Sequence, residues 1–382
     1  MHILLKHLTI SKLLPFLFFI SLGKYQIKED IKKTEYATIV FVGDLMCHGP
    51  QIESARVNGI VDSFDFSDTY SYVKKIITDA NIAIGNLETV IGGKELGYTG
   101  FPTFNSPVDY IEGIKNAGFD FLITSNNHSY DKGKRGVVST INELNNIRLP
   151  FTGTYNSKRD RDSIRILNVN NIKIAILSYT YGLNGYNLPN GENYLVNKID
   201  TNLIKQDIIK AKSHSVDVIL TYFHFGEEYQ KLPNNYQRGI TKFAVKYGAD
   251  IVIGSHPHVI QPIDYFKGNN NLDSGFVAYS LGNFISNQRE RYTDCGMILQ
   301  FTIVKKDNSI SLNKVEYIPT WVFKGYKDTQ LKYYILPNNE NMKSQFPFLN
   351  ADEINKAKQA LNDTEIIINK FSNKTKRIKE FN

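Results

Sequence analysis

Cysteine is nearly absent from this 382-residue chain. Cys47 and Cys295 are too few for a disulfide framework or a zinc–thiolate site, and nothing in the sequence pairs them. Dense basic blocks and aromatic–basic stripes are missing too. The net charge of +7 and pI near 9.0 read as a lysine-rich solvated surface or as attraction for an anionic partner. Nucleic acid is not indicated. There is no internal repeat and no low-complexity tract. With 22% charged and 42% hydrophobic residues, whole-chain disorder is excluded.

One long apolar run is present, Leu13–Leu22, preceded by Lys6, His7 and Lys12. It is short for a membrane span and suits the core of a signal peptide, with Ser21-Leu22-Gly23 as a small-x-small cleavage site. Residues 1–23 are expected to be a signal peptide or short anchor, and residues 24–35 a polar linker. The protein is then exported to the cell envelope, on its periplasmic or extracellular face, with the N-terminus as a potential membrane anchor.

From residue 36, short apolar runs alternate with helical patterns. Strands are expected at Tyr36–Gly43, Asn81–Asn86, Phe119–Asn126, Ile172–Tyr179, Val216–Phe225 and Ala249–Ser255. Helices are expected over Thr69–Ala80, Val108–Ala117, Lys134–Asn146, Asn202–Lys212 and Tyr236–Tyr247. Near-continuous apolar strands between helices mean a sheet covered on both faces, hence an α/β fold. From Gly275 the strands follow one another with short loops, an antiparallel continuation. A four-layer α/β/β/α sandwich with mixed sheets fits both halves. Residues 36–320 form the expected domain, and residues 321–382 an extension ending in a helix over Ala351–Phe371.

In open α/β sheets, ligands sit beyond the carboxyl ends of the strands. Those ends carry Asp44 and His48, then Asn86 and Glu88, then Asn126, Asn127, His128 and Asp131. Further on come His224, Glu227 and Glu228, then His256 and His258, then Asn283. Five of the eight histidines lie there, while His2 and His7 fall in the targeting segment and His214 ends a helix. Each alone reads as a capping residue. Together they make a carboxylate, amide and imidazole set suited to Mn, Zn or Fe.

The ordered motifs "GDLMCHG", "GNLETVIG", "NNHSYDKG", "HFGEEY", "GSHPHVIQP" and "YSLGNF" resemble those of bacterial capsule-synthesis proteins of the CapA type, associated with poly-γ-glutamate. That family is similar in fold to calcineurin-like metallophosphoesterases. The resemblance implies a metallophosphatase-like sandwich holding one or two divalent ions. It casts Asp44, Glu88, Asn127, His224, His256 and His258 as metal-site residues and His128 as the group assisting a leaving group or anion. Asp131 reads equally as the carboxylate orienting His128 or as a turn cap. His48, Asn86, Asn126, Glu227 and Asn283 are further candidates, with Glu227 and Glu228 first of all solvated loop charges. Cys47 reads as a buried structural thiol. Two departures stand out: Met46 occupies the place of the usual first-strand histidine, and Glu88 that of an aspartate. The resemblance implies a metal-dependent hydrolase of capsule biosynthesis acting on a phosphoester or γ-glutamyl amide. The alternative is a non-catalytic subunit that binds a polyanion or assembles a membrane capsule synthase.

Overall fold

The computed structural model describes residues 34–379 except 269, 308 and 328. The expected signal segment, and the linker up to residue 33, lie outside the described residues. Fifteen strands follow in order: β1 (Thr34–Leu45), β2 (Ile82–Leu87), β3 (Phe121–Ile123), β4 (Phe151–Thr152), β5 (Arg165–Val169), β6 (Ile172–Thr180), β7 (Val218–His224), β8 (Ile251–Ser255), β9 (Ile263–Lys267), β10 (Ser274–Ala278), β11 (Asn283–Ile285), β12 (Cys295–Lys306), β13 (Ser309–Lys327), β14 (Gln330–Pro337) and β15 (Lys376–Arg377). One sheet runs β14-β13-β12-β1-β2-β3-β4, with β11 beside β1 and β15 beside β13. The other runs β5-β6-β7-β8-β10-β9. Both are mixed: β1 to β4 and β6 to β8 pair in parallel, whereas β12, β13 and β14 are antiparallel.

Side-chain alternation builds the four layers. On β1, Ile39 and Phe41 enter the core between the sheets, while Val40 and Val42 face an outer core. That outer core is completed by Tyr110, Ile111 and Ile114 of helix Val108–Asn116 and by Val137, Ile141 and Leu144 of helix Gly133–Asn146. On β7, Leu220 and Tyr222 face the inner core, while Ile219 and Phe223 meet Ile204, Ile208 and Ala244 from helices Thr201–Ser213 and Asn235–Tyr247. Burial on both faces explains why these strands read as unbroken apolar runs.

The expected helix over Thr69–Ala80 is instead two short helices, Ser67–Tyr70 and Lys74–Thr78. The Ser71 hydroxyl donates to the Asp68 carbonyl, a local bond that competes with helix propagation. The hairpin β5–β6 turns on Asn170 and Asn171, both at positive φ, a conformation asparagine tolerates well. The C-terminal helix, Ala351–Ile368, lies on the core. Its Ile354, Ala357 and Ala360 pack with Trp321, Phe323, Tyr334 and Leu336 of β13 and β14. β13 runs unbroken through residues 320 and 321. Among the described residues no helix is long and apolar enough to cross a membrane.

Candidate metal centre

The ends of β1, β2, β3, β7 and β8 converge on one buried polar cluster. Asp44 lies on β1 in register with Asn86 of β2 and Asn283 of β11. Gly43, just before it, runs so close to Gly282, the residue preceding β11, that a Cβ there would collide with the Gly282 carbonyl oxygen. Asp44, Glu88 and His224 each offer a ligand atom within 4.8 Å of the others, and all three are fully buried. His224 Nε2 lies 3.5 Å from Glu88 Oε1 and 2.8 Å from Asn127 Oδ1. His258 Nδ1 lies 3.1 Å from Asp44 Oδ2 and 3.0 Å from Asn283 Oδ1. His256 packs its ring 4.9 Å from that of His224, and its Nδ1 is buried without a partner. Both His256, at φ 104°, and His258, at φ 57°, occupy the left-handed region disfavoured for side-chain-bearing residues. Strain of this kind persists where the surroundings hold it, and here it turns both imidazoles into the cluster.

Electrostatics sort the members. Burial pushes the Glu88 pKa well up, and the neighbouring Asp44 charge adds to it. Burial alone would also raise Asp44, but the hydrogen bond and charge of His258, with His224 behind, outweigh it and hold the carboxyl below the usual range. Burial drives His224 well down and His256 to about 3, each helped by a neighbouring histidine. His258 stays raised because its bond and charge with Asp44 overcome burial. Burial therefore favours the neutral forms of Glu88, His224 and His256, while the bond between Asp44 and His258 favours the charged forms of both. Glu88 Oε1 is buried with no hydrogen-bond partner. An orphan carboxylate oxygen facing imidazole nitrogens is what a divalent cation would complete, and the oxygen–nitrogen donor set suits Mn, Zn or Fe.

The remaining candidates take supporting places. Asn86 Nδ2 donates to Asp44 Oδ1 (2.8 Å) and Glu88 Oε2 (3.0 Å), so it braces the carboxylates with its donor end. Asn126 holds that amide in turn, donating to Asn86 Oδ1 at 3.1 Å and to the Leu87 carbonyl at 2.7 Å. His128 Nδ1 meets Asp131 Oδ2 at 2.7 Å, and that oxygen also accepts from Phe104 N at 2.6 Å. Asp131 thus orients the imidazole and fixes the neighbouring loop. His48 lies one contact away from the cluster. Its Nδ1 accepts from Asn287 N at 3.3 Å and its backbone N–H donates to Gln51 Oε1 at 2.9 Å at the start of helix Gly49–Ser54, and burial lowers its pKa to about 4. Glu227 is exposed and accepts from Asn234 Nδ2, away from the centre. Cys47 and Cys295 are free and buried, and burial lifts the Cys47 thiol to about 12.

Four residues join the site without having been legible as candidates. Ser255 Oγ donates to Asp44 Oδ1. Tyr222 shares a bond of 3.1 Å with His224 Nδ1. Asn184, after β6, accepts from Asn127 Nδ2 at 3.0 Å and lies 3.5 Å from His128 Nδ1. The Tyr181 ring lies 4.5 Å from the His256 ring, tilted 43° to it. The β6 end could have been found by the same strand-end rule, had tyrosine and asparagine counted beside carboxylate and imidazole.

Solved structures similar to this chain include NAD nucleotidase of Haemophilus influenzae, at 12% identity and TM-score 0.48, covering 92% of this chain and 65% of that one. The calcineurin-like phosphoesterase YfkN of Bacillus subtilis aligns at 16% identity and TM-score 0.45, covering 87% and 98%. This chain thus spans less than two thirds of the nucleotidase. Capsule biosynthesis protein CapA of Bacillus anthracis is 26% identical over 301 residues, 77% of this chain and 69% of that protein. PGA biosynthesis protein CapA of Bacillus subtilis is 27% identical over 281 residues, 69% and 67% respectively. The profile of the bacterial capsule synthesis protein PGA_cap family matches residues 38–288, and the chain belongs to that family.

Proposed function

We propose that this protein is a metal-dependent hydrolase of the bacterial cell envelope that serves capsule biosynthesis, with poly-γ-glutamate as the polymer concerned. The buried, unpartnered Glu88 Oε1 beside His224 and His258 carries this reading. Asp44, Glu88, His224 and His256 would hold the ion, or a pair of ions, with Asn127 and His258 completing the set. A divalent ion bound there supplies Lewis acidity and makes a water nucleophilic near neutral pH.

The chain's own groups do the rest. His224 Nδ1 is held by the Tyr222 hydroxyl, which fixes the ring and leaves Nε2 facing the cluster. His128, with Nδ1 tied to Asp131, keeps Nε2 for passing a proton to a leaving oxygen or nitrogen. Ser255 and Asn86 hold Asp44 in place. The bond cleaved is a phosphoester or a γ-glutamyl amide. Family relatives named for capsule and PGA biosynthesis support the polymer assignment. The apolar segment before Gly23 supports export.

Elemental analysis of the purified chain tests the metal, wild type against His256→Ala. Wild type should retain Mn, Zn or Fe and the variant should lose most of it. Turnover of γ-glutamyl and phosphoester substrates by the metal-loaded chain tests the chemistry. A chain that holds no metal, turns nothing over and yet binds poly-γ-glutamate is instead the non-catalytic polyanion-binding subunit.

A further inference from the structure

Two cations near the centre, Lys324 and Arg289, form no ion pair among the described residues. Lys324, half-buried on β13, donates from Nζ to Asn287 Oδ1 at 2.8 Å. Tyr333, its cross-strand neighbour on β14, donates to the same oxygen at 2.6 Å. That amide oxygen is fully used, while the ammonium keeps two further donors. Two residues along from Asn287, Arg289 donates from Nη2 to the Val322 carbonyl at 2.9 Å, and its Nη1 is buried with no partner. Burial holds the Arg289 pKa below its ordinary value despite Asp294, Tyr333 and Glu290 nearby. Asp294 accepts the Trp321 indole N–H through Oδ2 and, like the exposed Glu290, is not within ion-pair distance of the guanidinium. Among the described residues neither cation has an ion pair. An unpaired, largely desolvated guanidinium is costly, and its free N–H groups call for an oxyanion.

The chain ties this pair to the metal centre at two points. Asn287 N donates to His48 Nδ1 at 3.3 Å, and the His48 ring stands edge-on to Phe104, which stands edge-on to His128. On the other side Asn283 contacts His258 through Oδ1 and donates to Gln288 Oε1 at 2.8 Å through Nδ2. Residues 283–289 are thus one strut, with the cluster at its start and the cations at its end.

We propose that Lys324 and Arg289, with Asn287 between them, form an anion subsite that takes a carboxylate of the substrate next to the bond being cleaved. The substrate class is an acidic polymer with a carboxylate on each residue. One residue lies at the centre and its neighbour's carboxylate at the subsite. The subsite rests on the proposed function for its substrate, and it is tested without turnover.

Binding of short γ-linked glutamate oligomers to the full chain is measured by calorimetry, for wild type, Lys324→Met and Lys324→Gln. The same oligomers with methyl-esterified carboxylates serve as the neutral probe. Both variants should bind the acidic oligomer about tenfold more weakly, roughly the loss of one charged hydrogen bond. Their affinity for the ester, their metal content and their melting temperature should match wild type. Equal binding of the acidic oligomer by all three proteins overturns the subsite, as does wild type failing to bind it. A metal-free, inactive chain that still loses acidic-oligomer affinity on Lys324→Met would refute the hydrolase and leave the subsite standing.

Discussion

A carboxylate as buried as Glu88 must either give up its charge or share it with a cation. Its pKa is pushed up by burial and by Asp44, so without metal its neutral form is favoured, and Oε1 has no hydrogen-bond partner. Glu88→Gln keeps the acceptor for Asn86 and loses the charge a cation needs. The variant should fold as wild type and retain less than about a tenth of the metal, a drop of at least 1.4 kcal/mol in binding; full metal content by elemental analysis would remove Glu88 from the ligand set. The dyad of His128 and Asp131 makes a different demand. General-acid catalysis is worth about 10²- to 10⁴-fold. His128→Ala should therefore lower kcat by that order while metal content stays at the wild-type level. Asp131→Asn keeps an acceptor for Phe104 N but weakens the hold on the imidazole, so its kcat should fall between those of wild type and His128→Ala. A change confined to KM in both variants would make them binding residues only.

At the scale of the element, the site is a set of strand ends, and their legibility depended on which faces were buried. β1, β2, β7 and β8 read clearly because both faces are covered, and the residue just past each apolar run faces the cluster. His48 follows the same rule in sequence but sits past the turn, where it begins a helix and bonds to Gln51. Nothing in local spacing separates those two fates. Asn184 and Tyr181 were hidden for the opposite reason: their contacts with Asn127, His128 and His256 span tens of residues and use side chains common in any loop. Close approach beside β11 also imposes a glycine. A Cβ at Gly43 would strike the Gly282 carbonyl, so Gly43→Ala must push β1 away from β11 and separate Asp44 from Asn283. Overpacking of this kind costs about 1–3 kcal/mol. Urea unfolding should show that loss together with weaker metal retention, and an unchanged midpoint would mean the strands part without penalty.

For the whole molecule, periodicity suggested the layered α/β arrangement and the family resemblance implied the sandwich, whereas the docking of the last helix was not readable. An amphipathic helix announces that it covers something, and only the long strands β13 and β14, with Trp321 and Tyr334 on one face, say what. The buried centre also sets how stability responds to pH. Glu88 is raised in the fold, so its contribution is present below the ordinary glutamate pKa and is lost as pH rises through the folded value. His224 and His256 are depressed, His256 to about 3, so the unfolded chain binds their protons first and stability falls as pH drops below about 6.5. Asp44, also depressed, contributes stability above its ordinary pKa that is lost in stronger acid. Without metal the protein is pressed from both sides. A cation relieves the high-pH side by accepting the Glu88 charge, and it competes with protons on the low-pH side. Added Mn²⁺ should therefore raise the melting temperature more at pH 8 than at pH 5.5, since the gain grows as RT ln(1 + [L]/Kd) and Kd falls with pH. Calorimetric melts at the two pH values, with chelator and with Mn²⁺, measure this directly. An equal or larger gain at pH 5.5 would mean the ion does not take its place beside Glu88.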